Sequence, residues 1–188
     1  DSTLGATNGV HSGSSAIYTY NGNYPNRMGG PYWATSPVID CSSCSGTWDL
    51  KLWKRLGVES SSYDRAYVAV TSNSGWVNVY SNPRSTTNDA SYTQVSYDIS
   101  SYVASNSAFQ VRFGLGTTDT SVTYTGWNVD DVVIEPRGNT GSGMANWTSQ
   151  TFGPSVGGKM EMEHGLMAID ATLPQLSLIH ISEPTRLV

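Results

Sequence analysis

The chain has 188 residues, of which 38% are hydrophobic and 13% charged, and its formal net charge is −5. No basic cluster is available to neutralise phosphates, which excludes nucleic acid as a partner. No apolar run approaches the roughly 20 residues that cross a bilayer, which excludes membrane insertion. Six Trp and eleven Tyr among many small polar residues are typical of secreted all-β domains.

Strand-like alternation recurs along the first three quarters of the chain. In 48–56, Trp48, Leu50 and Leu52 alternate with polar residues, as in a strand with one buried face. Turn sequences such as N-G-N and S-N-P-R separate such segments. Eight strands are predicted, at 15–20, 32–39, 48–56, 65–71, 76–80, 92–99, 109–115 and 126–134.

The spacing of these strands predicts the fold class. Residues 100–107 could supply at most a single helical turn, and no segment has a sustained helical period. We therefore predict an all-β fold, a two-sheet antiparallel jelly-roll β-sandwich of about eight strands with a poorly structured C-terminal tail.

The character of the sequence changes after the last predicted strand. Residues 137–143, R-G-N-T-G-S-G, have the composition of a linker, and 144–175 are expected to be the truncated start of a second domain. Residues 176–186 resemble the translated read-through of a transposase sequencing-library adapter, so 176–188 are expected to be an artefact. The complete domain is thus predicted to span 1–136.

Paired aspartates mark the closing strand, W-N-V-D-D-V-V-I. If the strand alternates regularly, Trp127, Val129, Asp131 and Val133 share one face, and Asp130 lies on the other. Because an isolated buried charge is very costly, Asp131 would then need a hydrogen bond, an ion pair or a cation. The simplest alternative to a cation is that both aspartates cap backbone amides and meet an arginine.

A structural calcium ion is the expected cofactor. Calcium prefers several oxygen ligands, and Asp130 and Asp131 could supply them together with the amide-rich turn at Asn21 and Asn23. These four residues are the predicted metal ligands. An acidic residue in place of Asn23 would make a stronger site.

Catalytic motifs are missing from the sequence. Glu59 and Asp64 flank an S-S-S-Y loop, and a carboxylate pair invites a glycosidase hypothesis. No apolar cleft that would raise one pKa is evident, so structural ion pairing with nearby arginines is expected instead. Arg112 lies mid-strand opposite the apolar row and needs a partner. The histidines are isolated, and we predict that the protein is not an enzyme and has no catalytic residue.

Cys41 and Cys44 form a C-S-S-C unit. Redox chemistry would need a βαβ context that the sequence lacks, and a zinc site would need more ligands than the scattered histidines supply. We expect an incidental structural pair, and the sequence leaves open whether it is free or bridged.

Aromatic side chains offer a binding hypothesis. Trp33, Trp53 and Trp76 fall near strand or turn ends and Tyr124 lies in a loop, so exposed members of this set could stack on sugar rings. The alternative is that a small sandwich with few Leu residues uses them as core volume. Several aromatic side chains on one exposed face would favour carbohydrate binding.

Three motifs carry a family resemblance. Y-T-Q-V-S-Y-D-I-S, F-Q-V-R-F-G and G-W-N-V-D-D-V-V-I resemble the C-terminal half of MAM-type domains, jelly-roll modules of the concanavalin A-like class. Upstream segments resemble a bacterial relative that recurs as a non-catalytic module in secreted proteins. The resemblance implies a secreted or cell-surface location and partners among neighbouring domains, carbohydrate or cell-surface proteins.

The implied function is a non-catalytic extracellular module for adhesion, binding or spacing within a larger secreted protein. Because the chain begins at Asp1 without a signal peptide, we expect it to be an interior piece of that protein. Two alternatives are a carbohydrate-binding module attached to a hydrolase and an ancillary domain of a secreted protease.

Overall fold

The structure, a computed structural model, describes residues 9–13 and 15–137 together with the backbone of Ala168–Ile169. The first six strands are β1 (Ile17–Tyr18), β2 (Tyr32–Thr35), β3 (Ile39–Cys41), β4 (Trp48–Val58), β5 (Ala66–Ser72) and β6 (Gly75–Ser81). They are followed by β7 (Thr87–Asn88), β8 (Thr93–Asp98), the single-turn helix α1 (Ser100–Val103), β9 (Asn106–Phe109), β10 (Val111–Leu115), β11 (Gly126–Pro136) and β12 (Ala168–Ile169). In the described ranges no helix is long and apolar enough to cross a membrane.

Two antiparallel sheets form a β-sandwich, which confirms the predicted fold class. The first sheet has the order β12-β1-β11-β4-β7, and β8 also pairs with β4. The second sheet has the order β2-β10-β5-β6, while β3 and β9 pair separately. The chain passes from the first sheet to the second after β1, after β4 and, through β9, after β8. It returns to the first sheet after β6, after β10 and, through β3, after β2.

The core lies between the two sheets. Leu50 and Leu52 of β4 and Trp127 of β11 are fully buried. Phe113 of β10 has only 2% of its surface exposed. Burying each such side chain contributes roughly 1.5–3 kcal/mol. The Trp127 ring meets Phe113 edge to face, and its indole N–H donates to the carbonyl oxygen of Gly114 at 2.9 Å. This hydrogen bond ties the closing strand to the opposite sheet.

Two predicted strands are each divided in the structure. The segment predicted at 32–39 splits at Ser36, whose hydroxyl accepts the Val111 amide at 2.9 Å while Pro37 has no amide to donate. The segment predicted at 109–115 splits at Gln110, whose amide donates to the Thr71 hydroxyl at 2.8 Å. Side-chain hydrogen bonds replace ladder bonds at both breaks, which alternation alone does not reveal.

A β-bulge interrupts β11. The register against β4 shifts between Asp130 and Val133, and Asp131 has a φ of 47°. The extra residue returns Val132 to the core side, where it is fully buried, while Val133 is only half-buried. The expectation that Asp131 and Val133 share the apolar row is therefore wrong, because the strand is not regular.

Most of the predicted boundaries beyond the sandwich fall outside the described residues. Apart from Ala168–Ile169, the proposed second domain at 144–175 lies outside the described residues, as do the tail at 176–188 and all of the linker but Arg137. The two residues of β12 pair antiparallel with Ile17 and Tyr18 of β1. Arg137 closes the described part of the domain by an ion pair with Asp49.

Candidate functional site

The outer face of the second sheet carries one cation among uncharged residues. The strands β2, β10, β5 and β6 contain a single charged residue, Arg112 of β10. Its neighbours Val111 and Phe113 point into the core, so Arg112 points outward. Its position mid-strand, opposite the apolar row, predicts that this residue needs a partner.

The partners of Arg112 are aromatic rings. Its guanidinium carbon lies 3.8 Å from the ring centroid of Trp33 and 3.9 Å from that of Trp76. Tyr67 extends the group, with its ring centroid 5.7 Å from that of Trp33. We call these four residues, Trp33, Tyr67, Trp76 and Arg112, the aromatic face. Cation–π contacts of this kind contribute about 0.5–2 kcal/mol each.

Arg112 has no anionic partner within the described part of the chain. Neither a salt bridge nor a hydrogen bond joins it to another described residue, and its Nε is buried without a hydrogen-bond acceptor. Burial lowers the pKa of Arg112 from its ordinary value. Because arginine still keeps its charge at any physiological pH, the aromatic face presents an unpaired positive charge.

Two small residues make room for this arrangement. Gly114 pairs with Trp33, and a Cβ on Gly114 would lie 2.5 Å from the Trp33 ring. Ala69 of β5 pairs with Arg112, so that Trp76 of the next strand can reach across to the guanidinium. Trp76 remains 36% exposed. The aromatic face therefore depends on Gly114 and Ala69 as well as on its own members.

A second polar group lies at the β-bulge. Oδ2 of Asp130 accepts the backbone amides of His11 at 2.8 Å and Ser12 at 3.1 Å, and Oδ1 accepts the amide of Asp131 at 2.8 Å. Asp130 is fully buried. Burial raises the pKa of Asp130, and the three amide hydrogen bonds oppose that rise.

His11 completes this group. Its ring stacks on Trp53 with centroids 3.8 Å apart, and its Nδ1 lies 2.7 Å from Oδ2 of Asp131. The hydroxyl of Ser12 donates to the other oxygen of Asp131 at 2.9 Å. His11 is isolated in the sequence, because its partner Asp131 lies 120 residues away in the chain.

The structure does not bring the four predicted calcium ligands together. Asn23 donates from its side-chain amide to the Thr123 carbonyl at 3.1 Å, before β11 begins. Asp130 and Asp131 lie four and five residues into that strand, more than about 10 Å further along at the usual rise. Asn21 belongs to the same turn as Asn23.

The aspartate oxygens at the bulge also have other partners. All four carboxylate oxygens of Asp130 and Asp131 already lie within hydrogen-bond distance of protein groups. A calcium ion held by all four residues, Asp130, Asp131, Asn21 and Asn23, does not fit this arrangement, since the asparagine turn lies away from the aspartates. Asp130 caps backbone amides, as the alternative to a cation predicted, whereas Asp131 contacts the His11 ring and the Ser12 hydroxyl and meets no arginine among the described residues.

A cluster of three carboxylates lies elsewhere, at the end of β4. Glu59, Asp64 and Asp119 each place an oxygen within 4.8 Å of the others, a geometry that could hold a metal ion. Asp64 is fully buried, and its two oxygens accept the Tyr24 hydroxyl at 2.6 Å and the Asp119 amide at 2.9 Å. Burial and then the charges of Asp119 and Asp64 raise the pKa of Glu59.

Ion pairing was expected for Glu59 and Asp64, and the described part of the chain shows none for either residue. None of the salt bridges among the described residues involves either carboxylate. Oε2 of Glu59 is buried without a hydrogen-bond partner. Asp119 was missed by the sequence analysis, because it lies in a Thr- and Ser-rich loop that carries no motif of its own.

The other residues singled out from the sequence are two cysteines and two aromatic residues, all at least partly buried. Cys41 and Cys44 are buried and unbridged, and burial raises the pKa of both thiols. Trp53 is half-buried beneath His11, and Tyr124 packs against the core. Of the aromatic residues proposed for sugar binding, Trp33 and Trp76 are the two that share an outward face.

Comparison with protein-family models gave no match, and comparison with curated proteins gave none either.

Proposed function

We propose that residues 9–137 form a non-catalytic module for binding, adhesion or spacing within a larger secreted protein, and that the aromatic face is its binding surface. The observation that carries this proposal is the group of Trp33, Tyr67 and Trp76 around Arg112 on one sheet face. Aromatic side chains held on a rigid sheet are well suited to recognition, because little side-chain entropy is lost on binding.

Carbohydrate is the ligand class that this surface fits best. A pyranose ring offers an apolar face that can stack on an indole and hydroxyl groups that can exchange hydrogen bonds. The strands around the aromatic face supply uncharged polar side chains, among them Thr35 and the exposed Asn78. The resemblance to MAM-type modules supports a secreted binding role but names no ligand.

A structural role explains the carboxylate cluster better than catalysis does. A retaining glycosidase holds its two carboxyl groups about 5–5.5 Å apart on either side of an accessible sugar. Asp64 is fully buried, and both its oxygens accept hydrogen bonds from Tyr24 and Asp119. A carboxylate that is fully buried and held by two hydrogen bonds is poorly placed to meet a sugar, which supports the non-catalytic proposal.

Affinity electrophoresis tests the proposed function. The full chain is run through native gels that contain a soluble polysaccharide, for a panel of neutral and acidic polymers. We expect at least one polymer to slow the protein, and we expect Trp33→Ala and Trp76→Ala to abolish the effect. Tyr63→Ala is the matched control, since Tyr63 is 54% exposed in a loop outside the sheet. The proposal fails if no polymer slows the protein, or if all three variants behave alike.

A further inference from the structure

We propose that the aromatic face binds glycans that contain hexuronate residues, with the sugar carboxylate held by Arg112. This inference rests on the proposed function and narrows it from carbohydrate in general to acidic carbohydrate. Three features of the aromatic face support it: the charge of Arg112, the geometry of its guanidinium and the flanking indole rings.

The charge of Arg112 is unmatched. It is the only charged residue in the four strands of its sheet, and no described residue forms an ion pair with it. A partly buried charge normally has a counter-ion, since an uncompensated one destabilises the fold. An anion supplied by a ligand would complete the site and would gain a charge-assisted hydrogen bond.

The geometry leaves the edge of the guanidinium for that anion. Trp33 on β2 and Trp76 on β6 approach from opposite sides of β10, each within 3.9 Å of the guanidinium carbon. Of the guanidinium nitrogens only Nε is buried without a partner, so the two Nη groups are the donors left for an anion. A planar fork of this kind pairs with a carboxylate through two parallel hydrogen bonds.

The indole rings suit the rest of a uronate residue. A hexuronate carries its carboxylate on the pyranose ring itself, so a sugar whose carboxylate meets Arg112 would lie against the flanking indoles. Trp76 is exposed enough to receive it, at 36% of its surface. Nonspecific attraction of a polyanion is disfavoured, because the chain has a net charge of −5. Binding of an acidic glycan would therefore have to come from a local site.

A matched pair of polymers tests the inference. Dissociation constants of the full chain are measured for polygalacturonate and for the same polymer after reduction of its carboxyl groups to alcohols. We expect the acidic polymer to bind at least about tenfold more tightly, the loss typical of one charge-assisted hydrogen bond. Arg112→Gln should remove that difference, and Arg112→Lys should restore part of it. Thermal melting and tryptophan fluorescence confirm that each variant is folded.

The outcomes separate the two proposals. Equal binding of both polymers, or an unchanged preference in Arg112→Gln, would overturn the uronate inference and leave carbohydrate binding intact. Failure to bind either polymer would overturn the uronate inference too. If no polymer in the wider panel bound either, the proposed function would fail with it.

Discussion

The backbone amide of His11 lies 2.8 Å from Oδ2 of Asp130, although 119 residues separate the two in the chain. This hydrogen bond fastens the beginning of the described domain to the bulge of its closing strand. Stacking of His11 on Trp53 reinforces the same attachment. The paired aspartates therefore attach the first residues of the described domain to its closing strand.

Removal of the Asp130 carboxylate should destabilise the domain. Asp130→Ala leaves three backbone amides without their acceptor, and we expect the free energy of unfolding to fall by about 2–4 kcal/mol. Urea unfolding followed by tryptophan fluorescence measures this change. Asp40→Ala is the control, because Asp40 caps a single exposed amide, and its effect should be much smaller. Equal effects of the two substitutions would contradict the proposed role of Asp130 in this attachment.

Glu59 should make stability fall as pH rises. Its pKa is raised above the ordinary value of 4.5 by burial and neighbouring carboxylates, so ionisation of Glu59 is disfavoured in the folded state. The stability that this group contributes is present below pH 4.5 and is lost as pH rises through the higher folded pKa. In metal-free buffer, Glu59→Gln should therefore become more stable relative to the wild-type protein between pH 4.5 and neutrality.

Asp40 provides a control of opposite sign for the Glu59 titration. The Ser42 amide lowers the pKa of Asp40, so its contribution is present above the ordinary value of 3.8 and is lost as pH falls. The difference between Asp40→Asn and the wild-type protein should thus shrink toward low pH. If the free energy of unfolding of Glu59→Gln differed from that of the wild-type protein by the same amount at every pH, the raised Glu59 pKa would be contradicted.

Calcium binding remains a prediction. The structure has two groups of carboxylates at which it can be tested, the bulge and the carboxylate cluster. Because the turn of Asn21 and Asn23 lies away from Asp131, whose oxygens contact His11 and Ser12, we expect Asp131→Asn to leave the response of the melting temperature to calcium unchanged. Glu59→Gln, run beside it, tests the carboxylate cluster. Loss of a calcium response in Asp131→Asn alone would contradict our account of the bulge. Absence of any calcium response in the wild-type protein would show that the cofactor prediction was wrong.

Gly114→Ala should dismantle the aromatic face without changing any of its four members. The added methyl would lie 2.5 Å from the Trp33 ring, so the ring must shift from its present position beside Arg112. We expect polysaccharide binding to be lost. In a Trp33→Ala background the same substitution should have little further effect, since the clash no longer exists. Additive losses in the double variant would show that Gly114 acts through some other contact.

The sandwich could be predicted because its strands alternate. In β4 the residues Leu50 and Leu52 face the core with half-buried Lys51 between them, and this pattern is local in sequence. The bulge could not be predicted in the same way. Asp131 takes a positive φ, which a period-2 pattern does not encode, and the extra residue reverses which of the following valines is buried.

The candidate site was only partly visible in the sequence. The sequence marks Trp33 and Trp76 as aromatic candidates and Arg112 as a charge that needs a partner, but the contact among them depends on strand order. Trp33 and Arg112 meet because β2 and β10 are neighbours in the sheet. One signal was available: Arg112 is the single charged residue of the predicted strand at 109–115. Asp119 gave no such signal, since only the folding of its loop brings it to Glu59 and Asp64.

Backbone amide chemical-shift mapping tests the central claim most directly. A ¹⁵N-labelled full chain is titrated with an oligosaccharide of the polymer that binds best in affinity electrophoresis. If the aromatic face is the binding surface, the shifted amides should cluster in β2, β5, β6 and β10, with Trp33, Trp76 and Arg112 among the largest changes. Shifts confined to β4, β8 and β11, or no shifts at saturating oligosaccharide, would contradict it.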